Sequence, residues 1–189
     1  MFQLSETDQQ LLLKTARYSV HEYLSDRAPR LPDVKNGILS ESRGAFVSIH
    51  KQQQLRGCIG NIHPSMPLIR TVSECAITAA VGDPRFLPLT VHELVQVDIE
   101  ISILSPMERI ENTAAIEVGR DGLLIIKRNA RGLLLPQVAM NYGWTREKFL
   151  AETCRKAGLA AHDWKEGASI FRFTAHVFGE GRKQTSAHP

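Results

Sequence analysis

Strict alternation of hydrophobic and polar residues marks the strands of this chain. Between residues 95 and 104, valine, isoleucine and polar residues alternate, from Val95 and Val97 through to Ile103. A period of two predicts an antiparallel strand with one buried face. Residues 171–177 alternate in the same way, and shorter apolar runs at 45–50 and 122–127 are also expected to form strands.

Apolar residues recur at helical spacing in three other segments. The first begins at Ser5, whose hydroxyl suits the cap of a helix, and extends to residue 25. The second and third begin at Ser65 and Thr145 and end at Gly82 and Gly158. We expect the first helix to pack on a sheet.

The predicted elements occur twice in the same order. Each half has a strand, a polar turn, a second strand, a helix and a final strand, over residues 44–104 and 122–178. The pattern predicts an α+β protein with antiparallel sheets flanked by helices, in two lobes with an internal β-hairpin–α–β repeat. We expect residues 1–178 to form one domain of two sub-lobes, followed by a flexible tail at 179–189.

The composition is typical of a folded protein. The chain has 189 residues, of which 43% are hydrophobic and 23% charged, so it is long enough for a sizeable core. A net charge of +3 with 6% aromatic residues argues against a dedicated nucleic-acid binder. The polar N-terminal residues indicate no signal peptide, and no apolar run approaches the ~20 residues that span a bilayer. Three cysteines without paired spacing favour a reducing, cytoplasmic environment.

The segment Leu55–Gly60 carries the candidate chemistry. Cys58 stands between two glycines, a residue type that permits close approach of a ligand or another backbone. In an extended strand Arg56 and Cys58 would share a face, and a guanidinium beside a thiol favours the nucleophilic thiolate. The alternative is that Cys58 is a small buried hydrophobe, as most free cysteines are. We expect Glu100 to be the ion-pair partner of Arg56.

The sequence supplies no clear partner for a nucleophilic cysteine. His50, His63 and His176 are the candidate bases, and the sequence places none of them next to Cys58. Cys58 and His63 lack zinc-type spacing, so we expect no metal site. Phosphate-binding glycine motifs and cysteine clusters are missing as well, and we expect no cofactor.

Two further places are candidate binding elements. The turn Asp83–Phe86 would either pin a loop while Phe86 fills the core, or present Asp83 and Arg85 to a cleft. If this turn faces a cleft, we expect Gly57, Ile59 and Gly60 of the segment Leu55–Gly60 to line that cleft as well. Gln137, at the start of a helical region in the second half, is a further candidate.

Five segments resemble, in order, the sequence blocks of the AMMECR domain family, also called AmmeMemoRadiSam system protein A. They are Leu55–Gly60 (LRGCIG), Gly82–Leu89, Ile99–Pro106, Gly132–Ala139, and Tyr142–Trp144 with Cys154–Leu159. The resemblance implies an α+β fold with two lobes built on antiparallel sheet. It implies no assigned activity. The family name implies two partners, a MEMO-type protein and a radical S-adenosylmethionine enzyme.

Two functions are therefore compatible with the sequence. The first is a cytoplasmic accessory protein that presents a cleft around the LRGCIG motif to a small molecule or to one of these partners. The second is an enzyme that uses Cys58 as nucleophile or redox group, with Arg56 lowering the pKa of the thiol. We favour the first because no base is placed beside the cysteine and no cofactor motif is present.

Overall fold

The computed structural model describes residues 4–62 and 64–181. The helices are α1 (Glu6–Leu24), α2 (Leu68–Val81), α3 (Val91–Leu94), α4 (Pro136–Asn141) and α5 (Arg146–Lys156). The strands are β1 (Ala45–Lys51), β2 (Gln54–Asn61), β3 (Val97–Leu104), β4 (Glu108–Ile110), β5 (Asp121–Lys127), β6 (Ala130–Leu134) and β7 (Ser169–Gly179). Short 3₁₀ turns lie at Ile38–Ser40, Thr113–Ala115 and Asp163–Lys165. The chain divides into two compact units, one of residues up to 104 with those from 176 onward, the other of residues 105–175.

The first unit is built on an antiparallel sheet in which β1 lies between β2 and β3. Strands β1 and β2 form a hairpin whose two turn residues, Gln52 and Gln53, both have positive φ, as the tight turns that match strand twist require. The end of β7 continues beside β3, where the Glu180 N–H donates to the carbonyl of Ile99 at 3.1 Å. The sheet therefore has β2 as an edge strand.

Two helices cover one face of this sheet. Helix α1 is capped by Ser5, whose hydroxyl accepts the Asp8 N–H at 3.1 Å, and it packs against α2 and β3. A buried hydroxyl pair joins the helices, because Ser73 donates to Ser19 at 2.7 Å. The core between helices and sheet is aliphatic, and its fully buried members include Leu12, Val20, Val47, Ile49, Leu68, Val72, Ile99 and Ile101.

Helix α2 lies very close to the hairpin, and a glycine makes that approach possible. A Cβ at Gly57 would stand 2.1 Å from the carbonyl oxygen of Ala79 in α2. Any side chain at this position would therefore force the helix away from the strand. Gly57 serves the packing of α2 on the sheet.

The second unit repeats this arrangement on its own sheet. Strands β5 and β6 form an antiparallel hairpin, and β7 pairs with β5 on one edge and with β4 on the other. Helix α5 covers the hairpin and is capped by Thr145, whose hydroxyl accepts the Lys148 N–H at 3.3 Å. Phe149, Leu150 and Cys154 of α5 are fully buried in the core of this unit.

The internal repeat is visible in corresponding positions of the two units. Gly57 lies opposite Ile49 in the first hairpin, and Gly132 lies opposite Ile125 in the second. A Cβ at Gly132 would stand 2.4 Å from a backbone nitrogen of the helix region, at Ala157. Both hairpins thus use one glycine to admit the backbone of their own helix. The predicted α+β class with two lobes and a hairpin–helix–strand repeat is confirmed.

Some local expectations are wrong. Helix α2 is capped at Pro67, not Ser65, and no side chain caps its first turn. Val95 is 83% exposed because the chain forms the short helix α3 just before it, and β3 starts at Val97. The flexible tail expected at 179–189 stays a prediction, because residues 182–189 lie outside the described residues. At its start, Gly179 ends β7 and Glu180 binds Arg17.

Candidate functional site

A buried carboxylate closes the sheet edge at Cys58. Cys58 lies opposite Ser48 in a non-hydrogen-bonded pair of the β1–β2 ladder. The backbone N–H and C=O of Cys58 therefore point away from β1, toward the open edge of the sheet. There Asp83 Oδ2 accepts the Cys58 N–H at 2.9 Å, and Arg85 Nη2 donates to the Cys58 carbonyl at 3.3 Å. We call Asp83 and Arg85 together the edge clamp, since they take the place that a further strand would occupy.

The edge clamp is itself an ion pair. Asp83 accepts from Arg85 Nε at 2.9 Å and from Nη2 at 2.6 Å, and the Asp83 side chain is only 2% exposed. The Arg85 guanidinium, followed by the Cys58 N–H, holds the pKa of Asp83 well below its ordinary value despite burial. Asp83 raises the pKa of Arg85 in return, and the nearby Cys58 adds to this effect. The clamp is therefore charged at neutral pH.

A β-bulge separates Arg56 from Cys58. His50 lies opposite Leu55 and Ile49 opposite Gly57, so Arg56 is an extra residue in β2. Its guanidinium donates to both carboxylate oxygens of Glu93, at 2.9 and 3.0 Å. The predicted common face of Arg56 and Cys58 assumed unbroken alternation, and the bulge breaks that alternation.

Glu93 of α3 replaces Glu100 as the partner of Arg56. Lys51 also binds Glu93, at 3.1 Å, and Arg56 donates in addition to the carbonyl of Leu87 at 2.8 Å. Hydrogen bonding to Arg56 is the main reason that the pKa of Glu93 is lowered. The expected pair of Arg56 with Glu100 is wrong, because the bulge directs the guanidinium to α3.

Cys58 lies in a polar row across three strands. Ser48 of β1 is the register partner of both Cys58 in β2 and Glu100 in β3. The Ser48 hydroxyl donates to the Cys58 sulfur at 3.2 Å. His50, two residues along β1 from Ser48, belongs to the same face of the strand. A half-buried thiol, a hydroxyl, a carboxylate and an imidazole are thus grouped on one face.

The other two cysteines are core residues. Cys75 in α2 is 4% exposed and Cys154 in α5 is fully buried. Burial raises the pKa of Cys75 to about 11 and also raises the pKa of Cys154. Of the candidate bases, burial lowers the pKa of His176, and His63 lies outside the described residues.

The remaining predicted site residues have different surroundings. Ile59 packs against the core of the first unit. Gly60 lies under the ring of Phe46, where a Cβ would come within 2.2 Å of the ring. Phe86 is half-buried, with the Arg85 guanidinium 5.4 Å from its ring centre. Gln137 is half-buried at the start of α4 in the second unit.

Sequence reasoning missed Glu93, Lys51 and Ser48. Glu93 stands 37 positions from Arg56 in a helix of only four residues, and so short a helix has no detectable periodicity. Thr90 followed by Glu93 does fit a capping pattern, and the Thr90 hydroxyl accepts the Glu93 N–H at 3.2 Å. That signal locates the helix but does not show which cation Glu93 binds.

Comparison with known proteins decides the family. The AMMECR1 family model matches residues 13–178. The chain belongs to the AMMECR1 family. A protein of Methanothermobacter thermautotrophicus is 43% identical over 185 residues, covering 94% of this chain and 96% of that protein. Protein MJ0810 of Methanocaldococcus jannaschii is 42% identical over 177 residues, covering 89% and 88% of the two chains.

A solved structure shares the fold of this AMMECR1 protein. The crystal structure of uncharacterized protein PH0010 from Pyrococcus horikoshii superposes with a TM-score of 0.89 at 39% identity, covering 95% of each chain. The AMMECR1 relatives carry no assigned activity in their names.

Membrane-spanning helices and metal-binding side-chain clusters are both absent from residues 4–62 and 64–181. None of the helices in this part is long and apolar enough to cross a membrane. In the same residues, no group of three or more His, Cys, Asp and Glu side chains is arranged to hold a metal ion.

Proposed function

We propose that this AMMECR1 protein is a cytoplasmic accessory protein whose LRGCIG surface binds a protein partner, a MEMO-type protein or a radical S-adenosylmethionine enzyme. The observation that carries the proposal is that the two arginines at the motif are held in ion pairs. Arg56 is bound by Glu93 and Arg85 by Asp83, so both guanidinium groups stabilise the local backbone. This arrangement supports a preorganised binding surface.

Apolar side chains beside the motif support protein binding. Leu87, whose carbonyl accepts from Arg56, is 83% exposed, and Leu55 is 40% exposed. Exposed apolar residues around a fixed ion pair suit a protein interface, in which a few anchors dominate the affinity. The family name indicates the first partner to test, the MEMO-type protein.

The direct test is a calorimetric titration of the purified protein with a MEMO-type protein. We expect a complex at micromolar concentrations, and Leu87→Asp should weaken it by roughly tenfold or more. Tyr23→Asp is the matched control, because Tyr23 is a half-exposed apolar residue of α1; it should bind as the wild type does. No complex at these concentrations, or equal binding of both variants, would count against the proposal.

The second candidate is an enzyme that uses Cys58. The observation that favours it is the grouping of the Cys58 sulfur, Ser48, Glu100 and His50 on one sheet face. A thiol that serves as nucleophile must be reached by reagents in the folded protein. Alkylation of the native protein with iodoacetamide tests this, with Cys58→Ser as the control for site assignment. Labelling of Cys58 only after unfolding would end the enzyme hypothesis.

We also propose that residues 1–178 act as one AMMECR-type domain. The family match, which extends from residue 13 to residue 178 and so includes both units, supports this. Expression of residues 1–104 alone tests it. A stable, cooperatively folding fragment would contradict a single domain.

A further inference from the structure

The second unit contains a cleft separate from the LRGCIG motif. Its volume is about 280 Å³, and it lies between the end of β4 and the loop that leads into β7. Its lining includes Arg109, Ile110, Glu111, Trp164, Lys165 and Ile170. This volume is at the lower limit for small-molecule sites, which usually measure about 300–1,000 Å³. The cleft therefore suits a compact ligand.

Ion pairs hold both walls of the cleft. Glu108, next to Arg109, binds Arg172 of β7 through two contacts of 2.9 Å, and Arg172 also donates to the carbonyl of Ala115 at 3.0 Å. On the other wall, Asp163 accepts from Lys127 at 2.5 Å and from the Ala160 N–H at 2.8 Å. The residues that follow Asp163 are Trp164 and Lys165. The cleft is consequently preorganised on both sides.

The cations of the cleft differ from their neighbours in their ion pairing. Within the part of the chain that the structure describes, Arg109 and Lys165 form no ion pair, whereas Arg172 and Lys127 beside them do. Both side chains are exposed at the rim. Both positive charges line the cleft and attract an anionic group, and the Glu111 carboxylate, which lines it too, opposes that attraction.

The lining also includes a smaller apolar surface, contributed by Ile110, Ile170 and Trp164. Ile110 and Ile170 are register partners in β4 and β7 and pack on the core of this unit. Trp164 is half-buried against the same core, and the Lys165 ammonium lies 5.4 Å from the centre of its ring. An aromatic ring can rest on these surfaces while its charged group faces the ammonium.

We propose that this cleft binds a small planar anion, a single aromatic ring system that carries a carboxylate or a phosphate. The ring contacts Trp164 and the isoleucine floor, and the anionic group pairs with Arg109 and Lys165. Glu111 opposes the anion, so it limits affinity. The proposal is independent of the LRGCIG surface, because every residue in it belongs to residues 105–175.

Fluorescence and calorimetry with four probes test the proposal. Trp144→Phe leaves Trp164 as the reporter, since the chain has two tryptophans. The probes are adenosine monophosphate, benzoate, adenosine and orthophosphate. We expect benzoate or the monophosphate to bind with a dissociation constant below about 1 mM and to change Trp164 fluorescence. Whichever binds identifies the carboxylate or phosphate source. Adenosine and orthophosphate should bind at least roughly tenfold more weakly, because each lacks one half of the recognition.

Side-chain variants complete the test. Arg109→Ala with Lys165→Ala should lower the affinity by roughly tenfold or more, and Glu111→Gln should raise it. Arg131→Ala with Lys156→Ala removes the same charge from exposed positions elsewhere in this unit and should bind as the wild type does. The proposal is overturned if neither anionic ring binds below about 1 mM. It is also overturned if adenosine and adenosine monophosphate bind equally well and benzoate does not bind. An unchanged affinity in the Arg109→Ala, Lys165→Ala double variant overturns it as well.

Discussion

Replacement of Asp83 by asparagine tests the edge clamp. The variant keeps the size of the side chain and removes its charge. One of the two carboxylate oxygens becomes an amide nitrogen, which cannot accept a hydrogen bond. An oxygen at the position of Oδ2 can still accept from the Cys58 N–H at 2.9 Å and from Arg85 Nη2 at 2.6 Å. The amide nitrogen then replaces Oδ1, which accepts from Arg85 Nε at 2.9 Å and from the Arg85 backbone N–H at 3.1 Å.

The expected loss in the free energy of unfolding follows from these contacts. A hydrogen bond to a charged group contributes about 1.5–3 kcal/mol, and breaking a buried ion pair costs about 3–5 kcal/mol. Asp83 is buried, but Arg85 is 54% exposed, so water solvates the released guanidinium and lowers the cost. We expect Asp83→Asn to lower the free energy of unfolding by about 2 kcal/mol at pH 7.

Urea denaturation followed by far-ultraviolet circular dichroism measures this loss. It should depend on pH, because folding lowers the pKa of Asp83. The clamp stabilises the fold fully above the unfolded-state pKa of about 4, and the stabilisation is lost as the pH falls toward the lower folded-state value. The difference between wild type and Asp83→Asn should therefore be constant above about pH 5 and shrink below about pH 4.

A surface aspartate supplies the control. Asp33 and its neighbour Lys35 are both 80% exposed and 3.7 Å apart, so Asp33→Asn should change the free energy of unfolding by less than about 0.5 kcal/mol. Equal stability of Asp83→Asn and Asp33→Asn at pH 7 would refute the reasoning. So would a difference that does not shrink in acid.

Three further predictions concern the first unit. Gly57→Ala should cost more than about 3 kcal/mol in urea denaturation, because the new Cβ meets the Ala79 carbonyl at 2.1 Å; a loss below about 1 kcal/mol would contradict the close approach. Glu180→Gln should cost about 1–2 kcal/mol, since Arg17 donates to this carboxylate at 2.5 and 2.6 Å; thermal unfolding equal to wild type would contradict it. Mass spectrometry of briefly alkylated native protein should show Cys58 modified in preference to the two buried cysteines, and equal labelling of all three would contradict the described burial.

The long elements of the fold could be predicted because each carries an unbroken pattern. Ser5 and Thr145 cap helices as expected, and residues 171–177 lie within β7. The repeat could also be recognised, since Gly57 and Gly132 stand at matching places in two hairpins. The structure adds the reason for both glycines, which is the close approach of a helix backbone.

The details of the site could not be predicted, because they depend on one inserted residue and on short elements. The bulge at Arg56 has no signature in hydrophobic alternation, and it redirects the guanidinium from the expected Glu100 to Glu93. The sequence does indicate the turn containing Asp83 and Arg85 as a candidate binding element. Its contact with the Cys58 peptide joins positions 25 and 27 residues apart, and only the folded chain shows that contact.

The central claim is that the edge clamp holds the backbone of the LRGCIG motif in place. Amide hydrogen exchange at Cys58 is the most direct test of this claim. The Cys58 N–H faces the open sheet edge and donates to Asp83, whereas Ile59 lies at the next ladder position, opposite Val47. The account predicts slow exchange at both amides in the wild type. It also predicts that Asp83→Ala accelerates exchange at Cys58 by at least roughly tenfold relative to Ile59. Exchange at Cys58 as fast as that of an unprotected amide in the wild type, or unchanged in Asp83→Ala, would contradict it.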